Sequence, residues 1–126
     1  SLEIRDQDAK LMKLIEEKLR ESLEGICEKY GVSHTFVPTS FHEPAPMSEW
    51  VKGSVEQAVK ELGIDYSVIP SGAFHDSLIM TSVFPTGMVF VPSEKGISHS
   101  RYEFTEDGDI QNGCNVLLQT VLNVDK

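Results

Sequence analysis

Little of this sequence is basic, and less of it is cysteine. Eleven Lys and Arg face 20 Asp and Glu, which leaves a net charge of −9. A duplex-binding surface needs clustered cations against phosphates, so nucleic acid is not an expected partner. Cys27 and Cys114 stand far apart with no CxxC spacing. They are expected as reduced, buried thiols of a cytoplasmic protein. No apolar run approaches the roughly 20 residues that span a bilayer, so no membrane partner is expected. The first ten residues carry five charges where a signal peptide needs an apolar core. HExxH, GxSxG, P-loop, GxGxxG and nucleophilic-cysteine signatures are missing, as are internal repeats. What remains is an ordinary globular composition, 40% hydrophobic and 25% charged over 126 residues. That suits one compact domain, or a small domain with a piece of another. The chain opens with Ser1, straight into a patterned segment, as a trimmed or partial polypeptide would.

Periodicity gives the organisation. Residues 1–5 alternate apolar and polar, as the end of a half-buried strand does. Asp6 or Asp8 can then cap a helix. Leu11, Met12, Ile15, Leu19, Leu23, Ile26, Cys27 and Tyr30 form one stripe at spacings of three and four, and Gly31 stands where a helix stops. Val32–Val37 reads as a second strand with Val32, His34 and Phe36 on one face. Three prolines within 38–46 forbid a helix and mark a boundary. Ser48 caps a helix that ends at Gly63. Tyr66–Ile69 and Gly87–Val91 read as strands, the second covered on both faces because it lacks polar alternation. A long polar loop over 92–109 leads to a last helix with Ile110, Cys114, Leu117, Leu118, Val121 and Leu122 inward. Its start carries Glu106, Asp107 and Asp109, which suit the positive end of the helix dipole. Helices alternating with strands imply an α/β fold, a mostly parallel sheet flanked by helices. Ligands of such sheets bind beyond the carboxyl ends of the strands. The loops that leave those ends carry His75 and His99, which face one crevice if the strands are parallel neighbours.

The residues alone give half a site. For His34 and His42 a surface or structural role is the natural reading. His75 sits in the small-residue turn Ser71-Gly-Ala-Phe-His-Asp76, where backbone can approach a ligand. It can equally be bonded within its own turn, with Asp76 capping the next helix. His99, in a polar loop, is a candidate metal ligand or a plain loop histidine. A catalytic metal needs about three protein ligands, and no acid recurs with histidine at ligand spacing. Glu103 and Glu106 read as readily as a solvated cap.

Ser71-Gly-Ala-Phe-His-Asp76, the Pro85–Ser93 stretch with its Gly-Met-Val-Phe-Val-Pro-Ser, and Gly96-Ile-Ser-His-Ser100 with Glu103 resemble the closing segment of the metal-dependent ureido amidohydrolases. These are the N-carbamoyl-L-amino-acid hydrolases, allantoate amidohydrolases and beta-ureidopropionases, within the dinuclear-metal aminoacylase and carboxypeptidase clan. The resemblance runs end to end. It implies that 1–38 end an α+β lid or dimerisation domain with strand, helix and strand. Residues 39–126 would form the C-terminal part of a zinc-peptidase-like catalytic domain.

It also implies roles. His99 would be a metal ligand, and His75 a catalytic and substrate-binding histidine that polarises the carbonyl. Arg5 would grip the substrate carboxylate across a homodimer. Phe74, where the family usually has glycine, would line the substrate. The cofactor implied is a pair of divalent ions, zinc, manganese, cobalt or nickel, whose other ligands and general-base glutamate lie upstream of the matched region. The chain alone is then expected to be inactive, to hold no stoichiometric metal, and to pair with the missing N-terminal part or with another copy. The substrate would be a small ureido carboxylate. An aminoacylase or dipeptidase of the same clan is the alternative enzyme. A non-catalytic binding module is the alternative outside enzymes.

Overall fold

The structure, a computed structural model, describes residues 2–125. Its elements are α1 (Ala9–Tyr30), α2 (Glu49–Leu62), α3 (Asp76–Met80), a 3-10 turn (Glu94–Gly96) and α4 (Asp107–Val124). The chain divides into two compact units. One comprises residues up to Ala45 with Pro70–Phe74, the other Pro46–Ile69 with the residues from His75 onward.

In the first unit, α1 begins where the Asp8 carboxylate accepts the Lys10 N–H at 2.8 Å. It ends at Gly31, whose left-handed φ of 64° lets its N–H reach the Cys27 carbonyl. The chain then runs back along the helix. His34 Nδ1 meets Cys27 Sγ at 3.2 Å. The Arg20 guanidinium lies 3.8 Å from the Phe36 ring centroid. Lys13 sits over Phe41 and reaches Glu43 at 3.9 Å. The lengths match: α1 rises about 21 Å between Lys13 and Cys27, and extended chain covers about 23 Å between His34 and Phe41. The expected common face of His34 and Phe36 is the one that meets α1.

In the second unit, α2 is capped by Ser48 and stopped at Gly63 with φ 66°. It packs on α4, and Ala58, Val59 and Val116 are the buried hydrophobic residues described. Residues 86–91 cross this pair. The Thr86 carbonyl accepts the Ser48 N–H at 2.8 Å. A Cβ on Gly87 would lie 2.6 Å from Val51 Cγ1, and one on Gly113 2.6 Å from Val91 Cγ1. Glycine at 87 and 113 is therefore what lets the crossing segment lie so close to both helices.

Three expectations need correction. Among the described residues none is in a strand, so the parallel sheet of the expected α/β fold is not seen among them. Residues 2–5, 32–37, 66–69 and 87–91 are irregular. Ser1, which the first of these was expected to include, lies outside the described residues. A strand is defined by a neighbour's ladder, and here 87–91 is backed by helices with no strand alongside. Consequently Phe90 remains 48% exposed, where burial on both faces was expected. The aliphatic stripe of α4 points outward, with Leu118 60% and Val121 63% exposed. The side that meets α2 carries Gln119 and Asn123, both bonded to Glu61, beside the buried Val116, while Gly113 faces Val91. Finally, Cys27 is half-buried and Cys114 exposed; both are free thiols. Cys114 follows the outward stripe.

Candidate functional site

The candidate residues lie in both units. In the first, Arg5 Nη1 donates to the Gly72 carbonyl at 2.9 Å and Nη2 to Glu3 Oε2 at 2.8 Å. Both ends of the guanidinium fork are thus engaged within its own chain. Phe74 meets the His42 ring edge-on, centroids 4.9 Å apart at 66°. Phe74 is nevertheless 55% exposed, so the ring is largely solvated. Within the same segment the Ala73 N–H reaches Ser71 Oγ at 3.3 Å.

In the second unit, His75 is the N-cap of α3, with extended φ and ψ of −130° and 153°. Its side chain makes no capping bond. Instead its ring packs edge-to-face on Phe90 at 5.5 Å. Asp76 is the first residue of α3, where its charge suits the helix start. Ser77 Oγ approaches Met88 Sδ at 2.8 Å. Residues 86–90 thus tie together the start of α2, the start of α3 and the His75 ring.

His99 follows on the next loop. The Glu94 N–H donates to the Phe104 carbonyl at 2.8 Å and closes that loop at its neck. Inside it, Ser93 Oγ donates to the Ile97 carbonyl at 2.5 Å. His99 takes a left-handed φ of 53°, a region that non-glycine residues enter at a cost. Its N–H donates to Glu103 Oε2 at 2.8 Å, and the Glu103 N–H returns to the Ser100 carbonyl at 3.0 Å. A carboxylate accepting a backbone N–H is a strong local tie, and it offsets the backbone cost. Glu103 is therefore a residue whose local job is to hold the His99 turn.

For a metal, His99 offers one imidazole. Among the described residues no group of three or more His, Cys, Asp or Glu side chains could hold an ion. The residues present fit one ligand of a metal centre and not a centre. A cavity of about 370 Å³ is lined by residues that include Pro46, Ser48, Thr81 and Phe84. Another of about 440 Å³ lies along Trp50, Gly53, Gln57 and Asn123. Neither contains Arg5, Phe74, His75 or His99. Among the described residues no helix is long and apolar enough to cross a membrane.

Comparison with known proteins now supplies the class. The model of peptidase family M20/M25/M40 matches residues 5–123, and the chain belongs to that family. It is 34% identical over 122 residues to the N-carbamoyl-L-amino-acid amidohydrolase of Pseudomonas sp. (strain NS671), covering 97% of this chain and 30% of that protein. Among solved structures, an amidase of the hydantoinase/carbamoylase family from Burkholderia multivorans is 30% identical at a TM-score of 0.87, over 93% of this chain and 28% of that one. The structure of AtUAH in complex with (S)-hydroxyglycine is 32% identical at a TM-score of 0.83, over 94% and 29%. The chain therefore spans about three tenths of the length of the relatives it matches.

The resemblance to ureido amidohydrolases agrees with these relatives. What the sequence passed over is His42, set aside as structural, and Glu103, weighed only as a ligand or a cap. No spacing signal links His42 to Phe74.

Proposed function

We propose that this chain is the C-terminal portion of a metal-dependent amidohydrolase. It would cleave the C–N bond of an N-carbamoyl or ureido group on a small carboxylate, such as an N-carbamoyl-L-amino acid, allantoate or ureidopropionate. The observation that carries this reading is the near-complete match of the chain to the Pseudomonas amidohydrolase, at 34% identity. On this reading 1–38 end a lid domain and 39–126 belong to the catalytic domain. Residues 66–69 and 87–91 become strands of its sheet once the N-terminal part supplies their neighbours. The enzyme would work as a homodimer in the cytoplasm.

The roles are those the family resemblance implies, and side-chain chemistry suits them. Arg5 offers a planar fork that suits a carboxylate, provided it releases Glu3 or Gly72. The His75 ring donates a hydrogen bond to the carbonyl oxygen as negative charge develops there. Phe74 bounds the space beside the substrate. His99 would hold one of two divalent ions, zinc, manganese, cobalt or nickel. Such ions polarise a carbonyl and lower the pKa of water. The remaining ligands and the general base come from the upstream part, so the 126-residue chain alone is expected to be inactive.

The test is made in the longer polypeptide, assayed with N-carbamoyl amino acids and allantoate. His99→Ala should remove about one metal equivalent and the activity together. His75→Ala should keep the metal and lose at least about a hundredfold in kcat. Full activity of His99→Ala with metal retained would refute the assignment.

A further inference from the structure

α1 ends in a tight reversal. The Gly31 and Val32 N–H groups both reach the Cys27 carbonyl, the second at 3.1 Å. The left-handed turn at Gly31 sends the chain back beside the last turn of the helix. Three residues on, the His34 ring meets the Cys27 side chain, with Nδ1 at 3.2 Å from Sγ. Arg20 on Phe36 fastens the same returning segment two residues further along. All of these residues belong to one compact unit. Cys27 is half-buried and free, and His34 is exposed, so the pair is open to a small molecule. Cys114 is also a free thiol, and the more exposed of the two. A thiol within hydrogen-bond reach of an imidazole is an arrangement that activates sulfur as a nucleophile. No cysteine signature announces the pair, because a spacing of seven residues brings it together only through the reversal at Gly31.

We propose that Cys27 and His34 form a thiol–imidazole dyad that makes Cys27 a site of modification by small disulfides. With the imidazole proton on Nε2, Nδ1 accepts the thiol proton as Sγ attacks one sulfur of the disulfide. The new S–S bond to Cys27 forms, and the reagent's own S–S bond breaks. The departing sulfur takes the proton back from Nδ1 and leaves as a thiol. Cys27 ends oxidised in a mixed disulfide, and the other half of the reagent ends reduced. The imidazolium formed midway sits beside the carbonyl end of α1, where the helix dipole favours a cation. The base on the thiol outweighs access, so half-buried Cys27 should react faster than exposed Cys114. The dyad is independent of the hydrolase chemistry proposed above.

The experiment uses the 126-residue chain, reduced, freed of reductant and mixed with bis(2-hydroxyethyl) disulfide, which carries no charge. Acid quenching and peptide mass spectrometry follow Cys27 and Cys114 separately in one sample. Cys27 should be modified about tenfold faster than Cys114. That is less than the roughly hundredfold a positioned base supplies, because Cys27 is half-buried. His34→Ala and His34→Gln should each bring Cys27 down to the Cys114 rate or below it. Glutamine keeps a polar partner at 34 that cannot take up the proton, so it separates proton transfer from mere contact. Circular dichroism checks that α1 persists, and the glutamine variant decides if the alanine variant loosens it. Cys114 reacting as fast as Cys27 in the parent overturns the proposal, and that comparison needs no variant. So does an unchanged Cys27 rate in His34→Gln.

Discussion

The longest helices of this chain's two units, α1 and α4, are finished in opposite ways. α1 is covered by its own following segment through polar and cationic side chains: Arg20 on Phe36, Lys13 on Phe41 and Cys27 with His34. It has no buried residue at all. α4 meets α2 where Val116, Ala58 and Val59 are buried and where Gln119 and Asn123 donate to Glu61 of α2, and it turns its broader aliphatic face outward. The first arrangement covers part of a helix locally with charge and length, and leaves Leu14 and Ile26 exposed. The second leaves a helix apolar on two sides, the pattern of an element built to be covered twice. Contiguous exposed apolar surface of that kind marks an interaction face.

The largest expected effect separates the two faces of α4. Val116→Asp places a charge in the α2–α4 contact and should cost about 3 kcal/mol or more. Leu118→Asp, on the exposed stripe, should change stability by no more than about 0.5 kcal/mol and should reduce self-association. Urea unfolding and sedimentation read these. If Leu118→Asp destabilises more than Val116→Asp, the assignment of inner and outer faces is reversed.

The loop that carries His99 shares a unit with α4 but is held as α1 is, by polar bonds to its own chain. It sharpens whether location or mode of holding matters. At a left-handed φ of 53°, His99→Gly should be more stable than His99→Ala by about 1 kcal/mol. Equal stabilities would mean that the turn relaxes to an ordinary backbone. For α1 itself, Phe36→Leu should cost about 0.5–1 kcal/mol, the worth of an exposed cation–π contact, and 1 M salt should leave part of that cost in place. A cost that vanishes in salt would show simple charge pairing instead.

The smallest effect lies on the outer side of α2. There Tyr66 OH donates to Glu56 at 2.5 Å, and Lys60 reaches the same oxygen at 2.8 Å. Lys60 first, and Tyr66 second, hold the Glu56 carboxyl below its usual value, and Glu56 holds Lys60 and Tyr66 above theirs. The Glu56 share of stability is present above the unfolded carboxylate value and is lost as pH falls through the lowered folded one. The Lys60 and Tyr66 shares are present below their unfolded values and are lost as pH rises through the raised folded ones. Solvent screening keeps all three small. Tyr66→Phe should let the Glu56 titration, followed by NMR, move part of the way back up. No movement would show that the phenol bond is not populated in solution.

The helices were legible because their signals are local. Asp8 and Gly31 bound α1, Ser48 and Gly63 bound α2, and the acids at 106–109 open α4, as spacing implied. The family was legible because Gly-Met-Val-Phe-Val-Pro-Ser and Gly-Ile-Ser-His are long, contiguous strings. The sheet was not verifiable from 66–69 or 87–91, since a parallel strand is completed by residues distant in sequence. The inward face of α4 was misjudged for a related reason. Its most apolar stripe marks where the most burial is wanted, while Gly113 marks where another segment comes closest. The tie between His42 and Phe74 spans the whole of α2, and no periodicity reports it.

One consequence follows from the crossing of residues 87–91 over α4. At 2.6 Å, a methyl group on residue 113 and the Val91 side chain compete for one space. Bulk can sit at either position and not at both, so substitutions there should be tolerated as exchanges and rejected singly. Any lineage that gained a side chain at 113 would first have to shed one at 91.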